Sequence, residues 1–127
     1  MILLDTSVLI EMFREKDKTK TFFLQLLERE IEFAISTITR YEILIGSNER
    51  QVDYWNNFLS LFDVLPFDVG TSACAVNIYK DLKRRNQLID LADLMIAATA
   101  IAYRLPIATT NTKHFKRVAD LTIIERR

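Results

Sequence analysis

The chain has 127 residues, half of them hydrophobic, with two glycines, two prolines and a formal net charge of zero. That size and composition describe one domain, residues 1–127, and exclude a collagen-like, low-complexity or loop-rich scaffold. One cysteine, Cys74, excludes an internal disulfide framework and reads as a small buried hydrophobe, and zero net charge leaves only local charge to attract nucleic acid.

Met1 leads straight into an apolar run with no basic region before it. No apolar stretch approaches the roughly 20 residues a membrane helix needs, so the expectation is a soluble, cytoplasmic protein with no membrane contact. Ile2 to Leu4 reads as a short strand covered on both faces. Thr6 or Ser7 is the expected cap of a helix carrying Val8, Leu9, Met12 and Phe13. "REKDKTK" is a surface connection, and a helix over about 21–30 follows. "FAIS" is the second strand, and Thr37 or Thr39 then caps a helix through Glu42 to Gly46. "VDYWNNFLSLF" is helical and "VLPF" is the third strand, with Pro66 suited to its end. Asp68 to Arg85 is a long helix with a basic finish that complements its dipole. "DLADLMIAATAIAYRL" is the strongest helix, "PIATT" a fourth strand, "KHFKRV" a short helix and "LTIIE" a last strand. Strands alternating with helices predict an α/β domain with a mostly parallel central sheet of four to five strands flanked by helices. In such sheets functional groups gather beyond the carboxyl ends of the strands, where Asp5, Thr110 and Asn111 fall.

Three acids are embedded in apolar sequence: Asp5, Glu42 in "YEILI" and Asp93 in "LADLMIAA". A carboxylate on a buried element must be hydrogen-bonded, neutralised or bound to a cation. Each also has a plain structural reading: Asp5 as a helix cap, Glu42 as a solvated rim residue, Asp93 as first-turn acid behind an Asp90 cap. Three carboxylates in one pocket would repel one another, and a divalent cation resolves that conflict. Oxygen ligands suit Mg²⁺ or Mn²⁺, and one His and one Cys are too few for a typical zinc site.

"MILLDTSVLIEMF", "ISTITRYEILIG" and "LIDLADLMIAATAIAYRLPIATTNTKHFKRVADLTII" together resemble the PIN domain, most closely the VapC-type toxin nucleases of bacterial and archaeal toxin–antitoxin pairs. The resemblance runs from end to end and implies a parallel sheet flanked by helices and metal-dependent endoribonuclease activity. It places the metal-holding catalytic acids at Asp5, Glu42 and Asp93 and the fourth family position at Asn111, with Thr6 and Thr110 lining the pocket. Asn111 replaces the acid of many PIN domains, and His114 stands where members with Asn often carry an acid. His114 reads first as a surface residue and second as a phosphate contact or proton carrier. Asp90 is either a cap or an auxiliary acid of the pocket. Asn86 stands where the family often has Gly.

Lys80, Lys83, Arg84 and Arg85 on one helix, and Lys113, Lys116 and Arg117 on another, are candidate RNA-backbone contacts or simply solvated helix faces. The resemblance also implies a small VapB-like antitoxin and a homodimer. Candidate groove residues for the antitoxin are Leu9, Phe13, Phe22 and Phe23, and Tyr54, Trp55 and Phe58 are candidates for the dimer contact; all are equally good core residues. Two rivals are a PIN-fold binding module with impaired catalysis and another Mg²⁺-dependent phosphoester hydrolase. A haloacid-dehalogenase type would need an acid where Ser7 stands.

Overall fold

The computed structural model describes residues 1–30 and 32–127. Five strands form one sheet: β1 (Ile2–Leu4), β2 (Phe33–Ser36), β3 (Asp63–Leu65), β4 (Ile107–Ala108) and β5 (Ile123–Ile124). Their order is β3-β2-β1-β4-β5, and every pairing is parallel. The helices are α1 (Thr6–Arg14), α2 (Phe22–Leu27), α3 (Thr37–Gly46), α4 (Val52–Leu59), α5 (Val69–Arg84), α6 (Leu91–Ala102) and α7 (Thr112–Phe115). The charged connection after α1 holds one 3-10 turn, Lys18–Lys20, capped by Asp17.

The apolar strands are buried on both faces, and side-chain alternation divides them between two cores. Ile2, Leu4, Phe33, Ile35 and Ala108 join α1 to α4 in one core. Leu3, Ala34 and Ile107 point the other way and join α5, α6 and α7 in the second. Ala97, Ala98 and Ala100 on α6 are fully buried there, and their small side chains let α5 approach closely. Cys74 is only partly buried, at the edge of this second core.

Several boundaries differ from the sequence reading for local reasons. The cap position of α1 is Asp5, not Thr6 or Ser7, and that of α3 is Ser36, whose Oγ accepts from Thr39 N at 2.9 Å. α2 ends at Leu27 and α4 at Leu59, each about three residues short of the sequence reading. β3 begins at Asp63 and stops before Pro66. α5 ends with Asn86 at φ 55°, a left-handed position that Asn tolerates better than most residues, and Gln87 N closes the end on Leu82 O at 2.8 Å. That conformation is the physical reason Gly or Asn suits position 86.

Leu9, Phe22 and Phe23, read as candidate groove residues, are core, as is Trp55. Phe13, Tyr54, Trp55, Phe58, Phe62 and Phe23 form one connected aromatic cluster, of which Tyr54 is the most open. Tyr41, Ile45, Tyr54 and Leu61 are among the exposed apolar residues of that half of the molecule. Among the described residues no helix is long and apolar enough to cross a membrane.

Candidate active site

The strand order reverses at β1, so a crevice opens between the carboxyl ends of β1 and β4. β1 delivers Asp5 into it. Asp5 N donates to Ala108 O at 2.9 Å, so sheet pairing holds the backbone right up to the carboxylate. Asp5 is only 3% exposed. Its side chain makes no capping bond to α1, so capping does not explain its burial. Instead the Ser7 and Thr109 hydroxyls donate to Oδ2 at 2.7 and 2.8 Å. Burial pushes the Asp5 carboxyl above the ordinary carboxylate range, the two hydroxyls pull against that, and the negative charge of Asp93 adds to the rise.

Glu42 comes from the second turn of α3. Thr6 Oγ1 donates to Glu42 Oε1 at 2.8 Å and lies 3.0 Å from Thr39 Oγ1. Thr6 follows Asp5 directly, so the first two acids are tied together through the start of α1. Asp93 sits in the first turn of α6, with its Oδ2 3.2 Å from His114 Nδ1. Asn111 Nδ2 lies 3.4 Å from the same ring nitrogen, and Asn111 N donates to Thr109 Oγ1 at 2.9 Å. One polar chain therefore runs from Glu42 through Thr6 and α1, across Ser7 and Thr109, to Asn111, His114 and Asp93.

Two auxiliary residues behave differently from the sequence reading. Asp90 occupies the cap position of α6, but its exposed side chain makes no capping bond. Thr110 is exposed and joins the site through its backbone N–H, which donates to Ser7 Oγ at 3.1 Å. The inward hydroxyl belongs to Thr109, one residue earlier; alternation beyond β4 reverses the two. Ser7, Thr39 and Thr109 were missed because hydroxyls also cap helices and end strands, so nothing in their spacing singles them out. Thr109→Val keeps the side-chain volume but removes the hydroxyl that serves both Asp5 and Asn111. Its expected cost is about 1–3 kcal/mol of unfolding free energy, read from urea denaturation.

The candidate RNA contacts are dispersed. Lys113 is exposed on α7, while Lys116 pairs with Glu125 at 2.8 Å and lines a groove of about 350 Å³ with Thr109, Thr110, Thr112 and Arg126. Arg84 pairs with Asp81, and Lys83 lies 5.9 Å from the Tyr79 ring centre beside the start of α6. A second groove of about 500 Å³ is lined by Thr6, Ser7, Thr110 and Arg14, with the acids Glu11 and Glu15 beside them. Arg14 and Arg126 were not singled out in the sequence.

The donors of this pocket are carboxylate, hydroxyl and amide oxygens, the set that suits a hard divalent cation. Among the described residues neither Asp5 nor Glu42 has a Lys or Arg partner within ion-pair distance, and Asp93 has only His114. A carboxylate raised first by its own burial and then by a neighbouring carboxylate, with no Lys or Arg beside it among the described residues, is electrostatically incomplete. Among the described residues no three acidic, imidazole or thiol groups converge closely enough to enclose a metal ion unaided. The set fits an ion such as Mg²⁺ that keeps several of its waters, and does not fit a closed cage.

Fold and site together define an α/β domain with a buried carboxylate, Asp5, at the switch point of a parallel sheet. A family model described as the PIN domain matches residues 2–121, and the chain belongs to that family. Its relatives include Ribonuclease VapC1 of Methanocaldococcus jannaschii, 41% identical over 94% of this chain and 82% of that protein. The tRNA(fMet)-specific endonuclease VapC of Shigella flexneri is 30% identical over 94% of this chain and 92% of that one. Among solved structures, the DNA-bound VapBC of Salmonella typhimurium superimposes with a TM-score of 0.87 at 26% identity, over 98% of this chain and 96% of that one.

Proposed function

We propose that this chain is a VapC-type toxin: a metal-dependent endoribonuclease that hydrolyses RNA phosphodiester bonds, with Asp5, Glu42 and Asp93 as its catalytic acids. The observation that carries the reading is the buried Asp5 carboxylate at the switch point of the sheet, which among the described residues has no Lys or Arg partner. Relatives named as ribonucleases over nearly the whole chain support it. The divalent ion, Mg²⁺ or Mn²⁺, would be held by Asp5, Glu42 and Asp93 in part through water. When bound it lowers the pKa of water and polarises a phosphoryl oxygen.

This chain's own residues then have distinct tasks. Ser7 and Thr109 hold Asp5 in one orientation and favour its charged form. Thr6 sets the rotamer of Glu42, leaving Oε2 free of that bond. Thr6, Thr110 and Asn111 line the path a phosphodiester would take between the two grooves, and Asp90 flanks it at the start of α6. Lys83, Arg84, Lys113 and Lys116, with Arg14, would contact the RNA backbone and confer salt dependence rather than sequence choice.

The partner in this reading is a small VapB-like antitoxin, in keeping with the VapBC complexes among the similar structures. The exposed Tyr41, Ile45 and Tyr54 are apolar surface available to a partner. A homodimer and a cytoplasmic site of action complete the proposal. The test is cleavage of a panel of structured RNAs by purified protein with Mn²⁺, Mg²⁺ or chelator, beside Asp93→Asn. Metal-dependent cleavage that disappears in Asp93→Asn is expected. Equal cleavage by both proteins would overturn the site, and Mn²⁺ binding without cleavage of any RNA would favour a binding module.

A further inference from the structure

Arg126 has no part in the activity described so far. It lies just past β5, and because the sheet is parallel it emerges at the same carboxyl edge as Asp5 and Thr109. Its guanidinium is held from two directions. Nη2 donates to Glu11 Oε2, and Cζ stands 5.6 Å from the centre of the Phe22 ring. Glu11 is itself fixed, since its Oε1 accepts from Phe22 N at 2.8 Å where α2 begins. The remaining guanidinium N–H groups have no protein acceptor among the described residues, and the side chain is 38% exposed. A long side chain restrained in this way loses its rotamer freedom on folding, before any ligand arrives, and keeps part of its planar fork for an anion.

Arg126 lines the groove of about 350 Å³ together with Thr109, Thr110, Thr112, Lys116 and Glu125. That groove adjoins the site, because Thr109 also donates to Asp5 Oδ2 at 2.8 Å. The charges around it balance. Lys116 and Arg126 face Glu125 here, while Arg14 accompanies Glu11 and Glu15 in the neighbouring groove. Asp5, Glu42, Asp90 and Asp93 add negative charge nearby and repel a phosphate backbone, so RNA needs fixed donors beside them. Lys116 is occupied by Glu125 at 2.8 Å as a point charge, whereas a guanidinium fork matches the paired oxygens of a phosphodiester. The threonine hydroxyls along the same groove are further donors of the kind that position a nucleic-acid backbone. We propose that Arg126 is a phosphate-binding residue that receives a backbone phosphate flanking the scissile one, and that Glu11 both holds the guanidinium in place and competes with that phosphate for it. The inference rests on the ribonuclease reading above and adds to it a contact point and a built-in competitor.

The experiment measures fluorescence anisotropy of a labelled short single-stranded RNA of mixed sequence against full-length protein in chelator, so that metal-dependent cleavage does not run. Arg126→Ala is expected to bind about tenfold more weakly. Its plot of log affinity against log salt should be shallower by about 0.7, the loss of one phosphate contact on a single strand. Arg126→Lys keeps the charge and should restore the slope. Glu11→Gln keeps an acceptor for Phe22 N but removes the competing charge, and should bind about two- to fivefold more tightly. That gain should vanish in the double variant Glu11→Gln with Arg126→Ala. An ion pair that serves the fold alone predicts the opposite pattern, with losses of the same sign from either partner. Unchanged affinity and slope in Arg126→Ala, weaker binding in Glu11→Gln, or a gain that persists without Arg126 would each overturn this inference and leave the ribonuclease reading standing. Wild type that binds no RNA even at low salt would overturn both.

Discussion

Asp5→Asn is expected to cut RNA cleavage by about 10²–10³-fold while making the metal-free protein more stable at neutral pH. The two effects share one cause. Asp5 is buried, and its carboxyl is pushed above its ordinary value of 3.8 mainly by that burial. A carboxyl whose folded-state pKa lies above its unfolded value binds its proton more tightly in the folded state. The unfolded chain therefore carries fewer protons across that window, and stability falls as pH rises from 3.8 through the raised folded value. Above the window the charged Asp5 is a standing cost. Asparagine removes the charge and can still accept from Ser7 and Thr109. Urea midpoints at pH 4 and pH 7 should show a smaller loss on raising the pH in Asp5→Asn than in wild type. Mn²⁺ at a hundred times its dissociation constant should stabilise wild type by about 2.7 kcal/mol and the variant by much less. An Asp5→Asn protein that is less stable at pH 7 and still answers to Mn²⁺ would remove Asp5 from the metal site.

The second large effect belongs to a residue with no polar atom. α7 has four residues, too few to hold its shape alone, and it carries His114 and follows Asn111. Phe115, fully buried in the second core, is its anchor. Phe115→Ala is expected to cost about 3–5 kcal/mol of unfolding free energy. It should also depress cleavage at temperatures where the fold persists, because α7 then no longer holds His114 against Asp93. Phe115→Leu fills most of the space and should recover most of both. Urea unfolding paired with cleavage rates separates the two losses. Full activity in a destabilised but folded Phe115→Ala would show that α7 does not position the site.

The physical logic of the pocket is a trade between stability and function. The sheet buries a carboxylate at its switch point, and hydroxyls on both neighbouring segments favour its charged form against that burial. No lysine or arginine among the described residues neutralises it, which leaves the charge available to a cation. A lysine in that crevice would neutralise Asp5 and close the site to metal.

Much of this was written in local patterns. The apolar run of β1 ending on Asp5, the alternation of strands with helices and the alanine-rich α6 follow from short-range rules, so the fold class was legible and the three acids stood out by their apolar neighbours. The motif order added Asn111 and Thr6 as proposed members of the site. Those features repeat within one strand or a few helical turns, which is the range over which propensity and periodicity act. The partners of the acids were not legible in that way. Thr109 meets Asp5 across 104 residues, Thr6 meets Glu42 across 36 and His114 meets Asp93 across 21. Whether Thr109 or Thr110 points inward depends on where β4 ends, and whether Phe22 lines a groove or a core depends on what packs over it. Such contacts are set by the order of strands in the sheet and by the packing of helices across it. A hydroxyl or an imidazole carries no mark of its eventual neighbour until that packing brings the two together.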